Sequence, residues 1–376
     1  MRKQSILFMI PDYHYSFRYQ EELSRRGWRV RIFVPYDYPS KLLYKNDVIR
    51  EKKRKYSVFQ ALMYSAWLIR SCLQFKYFVF YGKIRLPFYM SARFPLHKLF
   101  RKNNIILEFA IMKMFRKKLI FLPSGCHDEF TKNEFSLFDN GNVCDNCGFE
   151  DRCNDDANML NFEIIKKYFV SAINLGFYET PHYRSTTLHY KCIDIPSEED
   201  INDIPIEYHI EPSTRIKVMH ASSIETRQFG KRNIKGTPAL KSAIDRLVAE
   251  GFEIEFHHLK DISASAIRYL QAQADIYVDQ LVYGMWGSSA IEAMSLGKPV
   301  ICYVRADWGD NFLKNFGYEE LPVLNANVAN IYFMLKYLIE EPAALKIAGE
   351  KSKEFCAIHY NVEKNVEQFV EYLLNL

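Results

Sequence analysis

Residues 274–305 read ADIYVDQLVYGMWGSSAIEAMSLGKPVICYVR. Ala274 to Val282 is apolar and β-prone, which predicts a buried strand. Gly284 and Gly287 then open a loop, Ser288-Ser289 can cap a helix, and Gly297 ends it. Lys298-Pro299 leads into Val300-Ile301-Cys302-Tyr303-Val304, a second buried strand. A helix that starts straight after a glycine turn at a strand's C-terminal end presents free backbone N–H groups and the positive end of its dipole. In an open α/β sheet that crevice is where nucleotide ligands sit. The segment therefore predicts a fold class and a place for a site at once.

The alternation continues on both sides. Arg215 to Ala221 reads as a strand, and Thr237-Pro238 as a helix start with proline at the first helical position. Ala239, Leu240, Ala243, Ile244, Leu247 and Val248 recur at helical spacing until Gly251. Phe252 to Leu259 predicts a strand, Ser263 to Gln273 a helix, and Ala329 to Leu376 two or three amphipathic helices. At the other end of the chain, Ser5 to Ile10 is a strand, Phe17 to Arg26 a helix closed by Gly27, and Trp28 to Val34 the next strand. Phe75 to Tyr81, Leu119 to Leu122 and Phe169 to Asn174 fit further strands of that sheet. Residues 193–214, IDIPSEEDINDIPIEYHIEPST, are acidic and carry three prolines, which suits a connection rather than an element. At 376 residues the chain can build two cores. The expected division is an α/β domain over 1–205, a second over 206–360, and a final helix over 361–376 returning to the first.

Charge divides the chain as well. Residues 1–120 hold 26 Lys plus Arg against 7 Asp plus Glu, a net of +19, and the remainder holds 24 against 38, a net of −14. Arg50-Glu51-Lys52-Lys53-Arg54-Lys55 and Arg116-Lys117-Lys118 are the densest basic runs. Tyr56, Phe59, Leu62, Trp67, Leu68 and Ile69, then Phe94, Leu96, Leu99 and Phe100, crowd between them. Basic and aromatic residues together suit an anionic membrane surface, while a solvated face over core aromatics is the plainer alternative. No nucleic-acid motif accompanies the charge. No signal peptide is visible, and no stretch reaches the ~18 uncharged apolar residues of a membrane span. The expectation is a cytoplasmic protein, peripheral at the inner face of the cell membrane.

The C-terminal half resembles the donor-binding domain of the large retaining family of GT-B glycosyltransferases (family 4-like). The matching elements are His220-Ala221-Ser222-Ser223, Lys235-Gly236-Thr237, Ala274-Asp275-Ile276, Glu292-Ala293-Met294 and Gly297-Lys298-Pro299-Val300, in order over roughly 215–360. The N-terminal half is similar only in its βαβ opening and its Ser124-Gly125 turn. The resemblance implies two Rossmann-like domains facing across a cleft, with C-terminal helices. It implies transfer of a sugar from a nucleotide donor, UDP- or GDP-linked, to a glycan acceptor in surface polysaccharide synthesis (capsule, O-antigen or lipopolysaccharide), with retention and without a catalytic metal. The basic N-terminal half points to a lipid-linked acceptor.

Lys235 would then meet the diphosphate as a point charge. Arg227, Lys231 and Arg232 precede it, each either a second phosphate contact or a solvated loop residue. Ser222, Ser223, Gly236, Gly287, Ser288 and Ser289 would hold phosphate or sugar hydroxyls. Glu292 matches the glutamate that binds the ribose, although Ser289-Ala290-Ile291-Glu292 also fits a capping box. The family's second glutamate, eight residues earlier, is Gly284 here, which leaves Asp279 or Gln280 as the acidic or amide group near the sugar. The family's His-Gly turn is Ser124-Gly125 here, and His127 is the nearest imidazole. His127 and Asp279 are the candidate catalytic residues, with a metal ligand or surface residue as the alternatives for His127 and a turn former as the alternative for Asp279. A nucleotide-sugar epimerase or hydrolase of the same architecture, and a degenerate partner subunit, are the rival readings.

Cys144-x2-Cys147-x5-Cys153, with Cys126 just after the Ser124-Gly125 turn, is dense for a reducing compartment. Four thiolates can satisfy a tetrahedral structural zinc, and an iron–sulfur cluster would use the same ligands. Free thiols or an adventitious disulfide are the alternatives. Cys72, Cys192, Cys302 and Cys356 sit in apolar contexts and read as core.

Overall fold

The computed structural model describes residues 4–11, 14–34, 48–50, 58–82, 106–138, 142–147, 153–197, 201–222, 234–260, 262–263 and 265–376, with backbone alone at 50, 58–64, 142 and 146. The first half alternates strands β1 Ser5–Met9, β2 Arg29–Val34, β3 Ile49–Arg50, β4 Tyr77–Tyr81, β5 Lys118–Leu122, β6 Ser171–Asn174 and β7 Ser185–Thr187 with helices. Those helices are α1 Tyr15–Arg25, α2 Val58–Gln74, α3 Leu107–Met114, α4 Lys132–Ser136, α5 Asn142–Cys147 and α6 Asp155–Tyr168. The second half runs β8 Ile216–Ala221, α7 Thr237–Ala249, β9 Ile254–Leu259, α8 Ile267–Gln271, β10 Ile276–Val278, α9 Ser288–Ser295, β11 Val300–Cys302, α10 Ala306–Phe316 and β12 Leu324–Asn325. Three helices close the chain: α11 Ile331–Glu340, α12 Pro342–His359 and α13 Val362–Asn375.

All pairings in both sheets are parallel. The strand orders are β3-β2-β1-β4-β5-β6-β7 and β12-β11-β10-β8-β9. Each order reverses direction once, between β1 and β4 and between β8 and β10. In a parallel sheet the loops diverge at that reversal and leave a crevice beyond the strands' C-terminal ends.

The central strands β1, β4, β10 and β11 are covered on both faces and are almost wholly apolar, whereas β2, β7, β8 and β9 carry polar or charged residues. Along β1, Ile6 and Phe8 face one core while Leu7 and Met9 face another, as a period of two requires. Ile276 and Val278 of β10 likewise meet α7 and α11 on one side, and Tyr277 points to the other. One hydrophobic core takes residues from both sheets, among them Phe8, Tyr19, Trp286 and Phe369. The last helix crosses between them. The Tyr77 hydroxyl donates to the Leu373 carbonyl at 2.8 Å, and Phe369 meets Tyr19 edge-on at 4.9 Å. The acidic connector is anchored to the same helices through Ile193 N–H to the Tyr360 carbonyl, 2.7 Å.

Several expectations change. The strand expected to Val282 stops at Val278, because Leu281 N–H turns to the Lys235 carbonyl instead of a strand neighbour. The helix expected from Ser263 is only the short α8. Leu68 is buried and Trp67 packs on Phe33 at 5.0 Å, so these two belong to the core and not to a membrane face. Ile69 is exposed. Residues 51–57 and 83–105, with most of the basic-aromatic pattern, lie outside the described residues. Among the described residues no helix is long and apolar enough to cross a membrane. Cys72, Cys192, Cys302 and Cys356 are fully buried.

Candidate functional site

The crevice between β8 and β10 is built from a buried charge. Asp279 follows directly on β10 and is fully buried. Its Oδ1 pairs with the Lys235 ammonium, and its Oδ2 accepts the Gly287 N–H at 2.7 Å. Burial alone would raise this carboxyl, but the Lys235 charge and the Gly287 N–H outweigh it and hold it below the usual range. Asp279 thereby ties together the two loops that flank the crevice. A lysine has three donors, so one carboxylate does not exhaust it.

Each partner is fixed in turn. Gly236 caps α7 in the left-handed region at φ 71°, and a Cβ there would stand 2.6 Å from Leu281 Cβ. Only glycine fits, and the turn brings Lys235 over the strand ends. The fully buried His220 donates from Nδ1 to the Val278 carbonyl, 2.8 Å, which leaves Nε2 to accept from the Thr237 hydroxyl at 2.9 Å. Burial, then the Lys235 charge, lowers this imidazole to about 3, so it stays neutral. It fixes the first residue of α7 beside Lys235. Ser222, at the end of β8, meets His258 Nε2 at 2.6 Å.

The loop from Asp279 to Gly287 ends at α9, whose cap is Gly287 and whose first turn has no side-chain cap. The capping box is not formed. The Ser289 hydroxyl goes to the Tyr277 hydroxyl and to Gln271 Nε2 instead, the latter at 3.2 Å. Glu292 is therefore not spent on its own helix. Its Oε1 lies 3.1 Å from Nδ1 of the buried His14, on the loop after β1 in the other sheet. Ile10 opens that loop at φ 77°, a strained conformation for a β-branched residue. Strain of this kind clusters at functional sites.

The structure thus brings Lys235, Gly236, Asp279, Gly287, Ser288, Ser289 and Glu292 around one crevice, with Ser222 at its edge. Gln280 is turned away, its amide donating to the Met285 carbonyl. Ser223, Lys231 and Arg232, with Arg227, lie outside the described residues. Gly284 has φ 99°, and a Cβ there would stand 2.9 Å from Arg305 Cγ. Arg305 fills the space a larger residue would need. Its guanidinium lies over Phe138 at 4.5 Å and Trp308 at 4.7 Å, and pairs with Asp307.

The first sheet's crevice holds the other candidate. Ser124 N–H and Oγ both donate to Oδ2 of the buried Asp128, at 2.9 and 2.8 Å, which folds the turn after β5. His127 is half-buried on this turn, with Nδ1 3.6 Å from Cys126 Sγ. Among the described residues no group of three His, Cys, Asp or Glu side chains is placed to hold a metal ion.

Sequence reasoning missed His14 and Arg305. Both stand just past the C-terminal end of a strand, β1 and β11, where a parallel sheet presents its site residues, and that position is the signal that could have found them.

The sequence matches no protein-family model and no curated protein. Solved structures share the fold over essentially the whole chain. HepE from Anabaena in complex with UDP-glucose is 13% identical with a TM-score of 0.60, covering 99% of this chain and 100% of that one. Sucrose-phosphate synthase from Thermosynechococcus elongatus is 13% identical with a TM-score of 0.60, covering 99% of each chain. A glycosyltransferase from Rickettsia africae is 11% identical with a TM-score of 0.56, covering 99% and 98%. The architecture is the GT-B fold: two parallel α/β sheets with flanking helices.

Proposed function

We propose that this chain is a glycosyltransferase that seats a nucleotide sugar in the crevice between β8 and β10 and passes the sugar to an acceptor held by the first sheet's loops. The observation that carries this reading is the Asp279 carboxylate fixing Lys235 and the Gly287 N–H at the start of α9. It aims an ammonium and a helix N-terminus at one place, which is what a diphosphate requires. The bound UDP-glucose of HepE adds weight to a UDP- or GDP-sugar donor.

In this reading Asp279 is a positioning residue, since both its oxygens are engaged. Glu292 takes the ribose hydroxyls. As the glycosidic C–O bond breaks, its electron pair goes to the terminal phosphate oxygen, and Lys235 with the first N–H groups of α9 stabilises the growing charge. The acceptor hydroxyl attacks from the same face and gives its proton to the departing diphosphate, which retains the anomeric configuration. His127 and the Ser124-Gly125 turn form the acceptor wall. The two domains run over 1–205 and 206–360, with 361–376 returning to the first. The acceptor is a lipid-linked glycan of a surface polysaccharide, met by the basic first half at the cytoplasmic face of an anionic membrane.

A thermal-shift panel of UDP, GDP and their sugars tests the donor site: a rise in Tm with one nucleotide series is expected, and no shift with any of them would overturn it. Flotation with anionic liposomes at low salt tests the membrane arm. A catalytically degenerate partner subunit is the second reading, favoured by Gly284 and by Ser124 in place of an acid and an imidazole. It predicts nucleotide binding without transfer or hydrolysis of the donor. An epimerase would alter the donor sugar with no acceptor present.

A further inference from the structure

One side-chain contact joins the strand-order reversals of the two sheets. His14 lies on the loop after β1 and stands at the head of α1, where its carbonyl accepts the Phe17 and Arg18 N–H groups at 3.1 Å each. Its side chain makes no cap bond to that helix. The imidazole turns instead to the second half, where Nδ1 meets Glu292 Oε1 at 3.1 Å. β1 borders the first sheet's reversal, and α9, which carries Glu292, leads from the loop at the second.

The geometry on the His14 side is fixed. The residue is 4% exposed, and its ring packs on Tyr15 with centroids 4.2 Å apart. The loop is pinned where it leaves β1, since the strained Ile10 donates its N–H to the Phe33 carbonyl at 2.9 Å. Glu292 is the more open partner, its side chain 14% exposed against 5% for His14. An ionised carboxylate only accepts, so Nδ1 carries the proton between them and donates it. That donor uses one of the roughly four lone-pair sites of a carboxylate and leaves the others for a ligand.

The halves do not need this contact to stay together. The Asn311 and Asn315 amides of α10 donate to the Phe177 and Gly176 carbonyls at 3.3 and 2.7 Å, and the Tyr318 hydroxyl meets His189 Nε2 at 3.0 Å. What the contact sets is direction. A glutamate on a helix surface has three side-chain torsions to settle, and a rigid donor at Oε1 settles them.

We propose that His14 is a positioning residue for donor recognition: it turns the Glu292 carboxylate so that its open lone pairs meet the ribose hydroxyls of the nucleotide. The inference rests on the donor site proposed above and adds to it a residue of the first sheet. A ribose presents two neighbouring hydroxyls, and a carboxylate accepts both only when held in their plane. A group held by a packed, hydrogen-bonded neighbour meets that condition without losing rotamer freedom on binding. The ribose is then read by both halves of the molecule, Glu292 touching it and His14 aiming Glu292.

Calorimetric titration of the full chain with UDP and GDP, each against its 2′-deoxy form, tests this. Wild type should bind one ribonucleotide roughly 10- to 100-fold tighter than its 2′-deoxy form, as a hydrogen bond to a charged group provides. In His14→Ala, and in His14→Phe, which keeps a ring against Tyr15 without an N–H, that ratio should fall about tenfold while the 2′-deoxy form keeps its affinity. His14→Asn sets an amide N–H where Nδ1–H stood and should restore the preference. In Glu292→Ala, exchanging His14 should change nucleotide affinity no further, because the two act as one unit. A merely structural His14 would weaken both nucleotide forms alike. Equal weakening of both forms, an unaltered ribose preference in the variants, or a wild type without that preference would each overturn the role of His14 and leave the diphosphate site standing. A wild type that binds no nucleotide at all would overturn the donor site itself.

Discussion

The crevices at the two strand-order reversals are made of opposite materials. In the second sheet a buried carboxylate, Asp279, gathers an ammonium and a backbone N–H, and a helix start opens beside them. In the first sheet a buried carboxylate, Asp128, gathers a serine hydroxyl and its own N–H, and what opens beside them is a half-buried imidazole and four thiols. The first arrangement sets a cation and a helix N-terminus at its crevice, whereas the second sets a buried carboxylate among neutral donors. Under the proposed function this is the difference between a ligand part that every donor shares, a diphosphate, and one that differs with each acceptor. A shared anion can be met by one local motif, but an acceptor must be met by loops peculiar to the chain.

The comparison is broken most severely at the buried pair. Lys235→Ala leaves the buried Asp279 carboxylate without its cation, held only by the Gly287 N–H, and should cost about 3–5 kcal/mol. The sequence alone gives the opposite expectation, a loss of binding with the fold intact, because nothing local shows that the partner of Lys235 is Asp279. The double variant Lys235→Met/Asp279→Leu replaces the pair by apolar groups of similar size, which is often neutral or better. It should recover most of the lost stability in urea titration and none of the nucleotide affinity by calorimetry. Recovery of both would make the pair a fold element with no role in the site.

Opposite pH responses sharpen the same contrast. His220 in the second sheet is held neutral with its pKa near 3, below the ordinary 6.5, by burial and then Lys235. The unfolded chain binds that proton first, so His220 contributes stability above pH 6.5 that is lost progressively as pH falls toward 3. Glu108 on α3 is raised by burial from 4.5 to about 7. The folded chain keeps that proton longer, so Glu108 contributes stability below pH 4.5 that is lost as pH rises to about 7. Thermal melts across pH 3–7 (roughly the window these two pKa values span) should show an acid limb flattened by His220→Gln and an opposite slope flattened by Glu108→Gln. Equal effects of both variants on one limb would contradict the assignments.

A smaller and cleaner loss is expected at Glu292. Removing hydrogen bonds between hydroxyls and a charged group costs about 1.5–3 kcal/mol, so Glu292→Ala should weaken nucleotide binding roughly 10- to 100-fold. Because no capping box is formed, the variant loses only the His14 contact and should destabilise the fold by about 1–3 kcal/mol, the cost of leaving a buried polar group unpaired. The sequence showed the strand–loop–helix frame around this residue, since glycines and apolar runs are local signals. It could not show that Tyr277 and Gln271 take the Ser289 hydroxyl, or that His14 meets Glu292 from the other sheet, because those partners are joined only by the fold. The same reason explains the first half. Strand β7 has no apolar run to mark it, whereas α6 carries an Asn154 N-cap, acids in its first turn and lysines in its last, signals that are legible in the sequence; β10 ends early because the Lys235 carbonyl captures Leu281 N–H.

The least effect is expected on the acceptor wall. His127 is half-buried, its Nδ1 is turned to Cys126, and its chain position follows a turn that Asp128 already fixes. If the leaving diphosphate accepts the acceptor's proton, no strong protein base is required, and His127 contributes far less than the ~10²–10⁴-fold of a general base. His127→Ala should lower turnover about tenfold, or about 1.4 kcal/mol, and leave nucleotide affinity unchanged. The pH profile discriminates the two roles: a base at His127 would impose an acid limb on kcat that disappears in the variant, whereas a contact residue lowers the whole profile without changing its shape. A thousandfold loss with a vanished limb would make the first sheet's crevice the chemical centre and the second only an anchor.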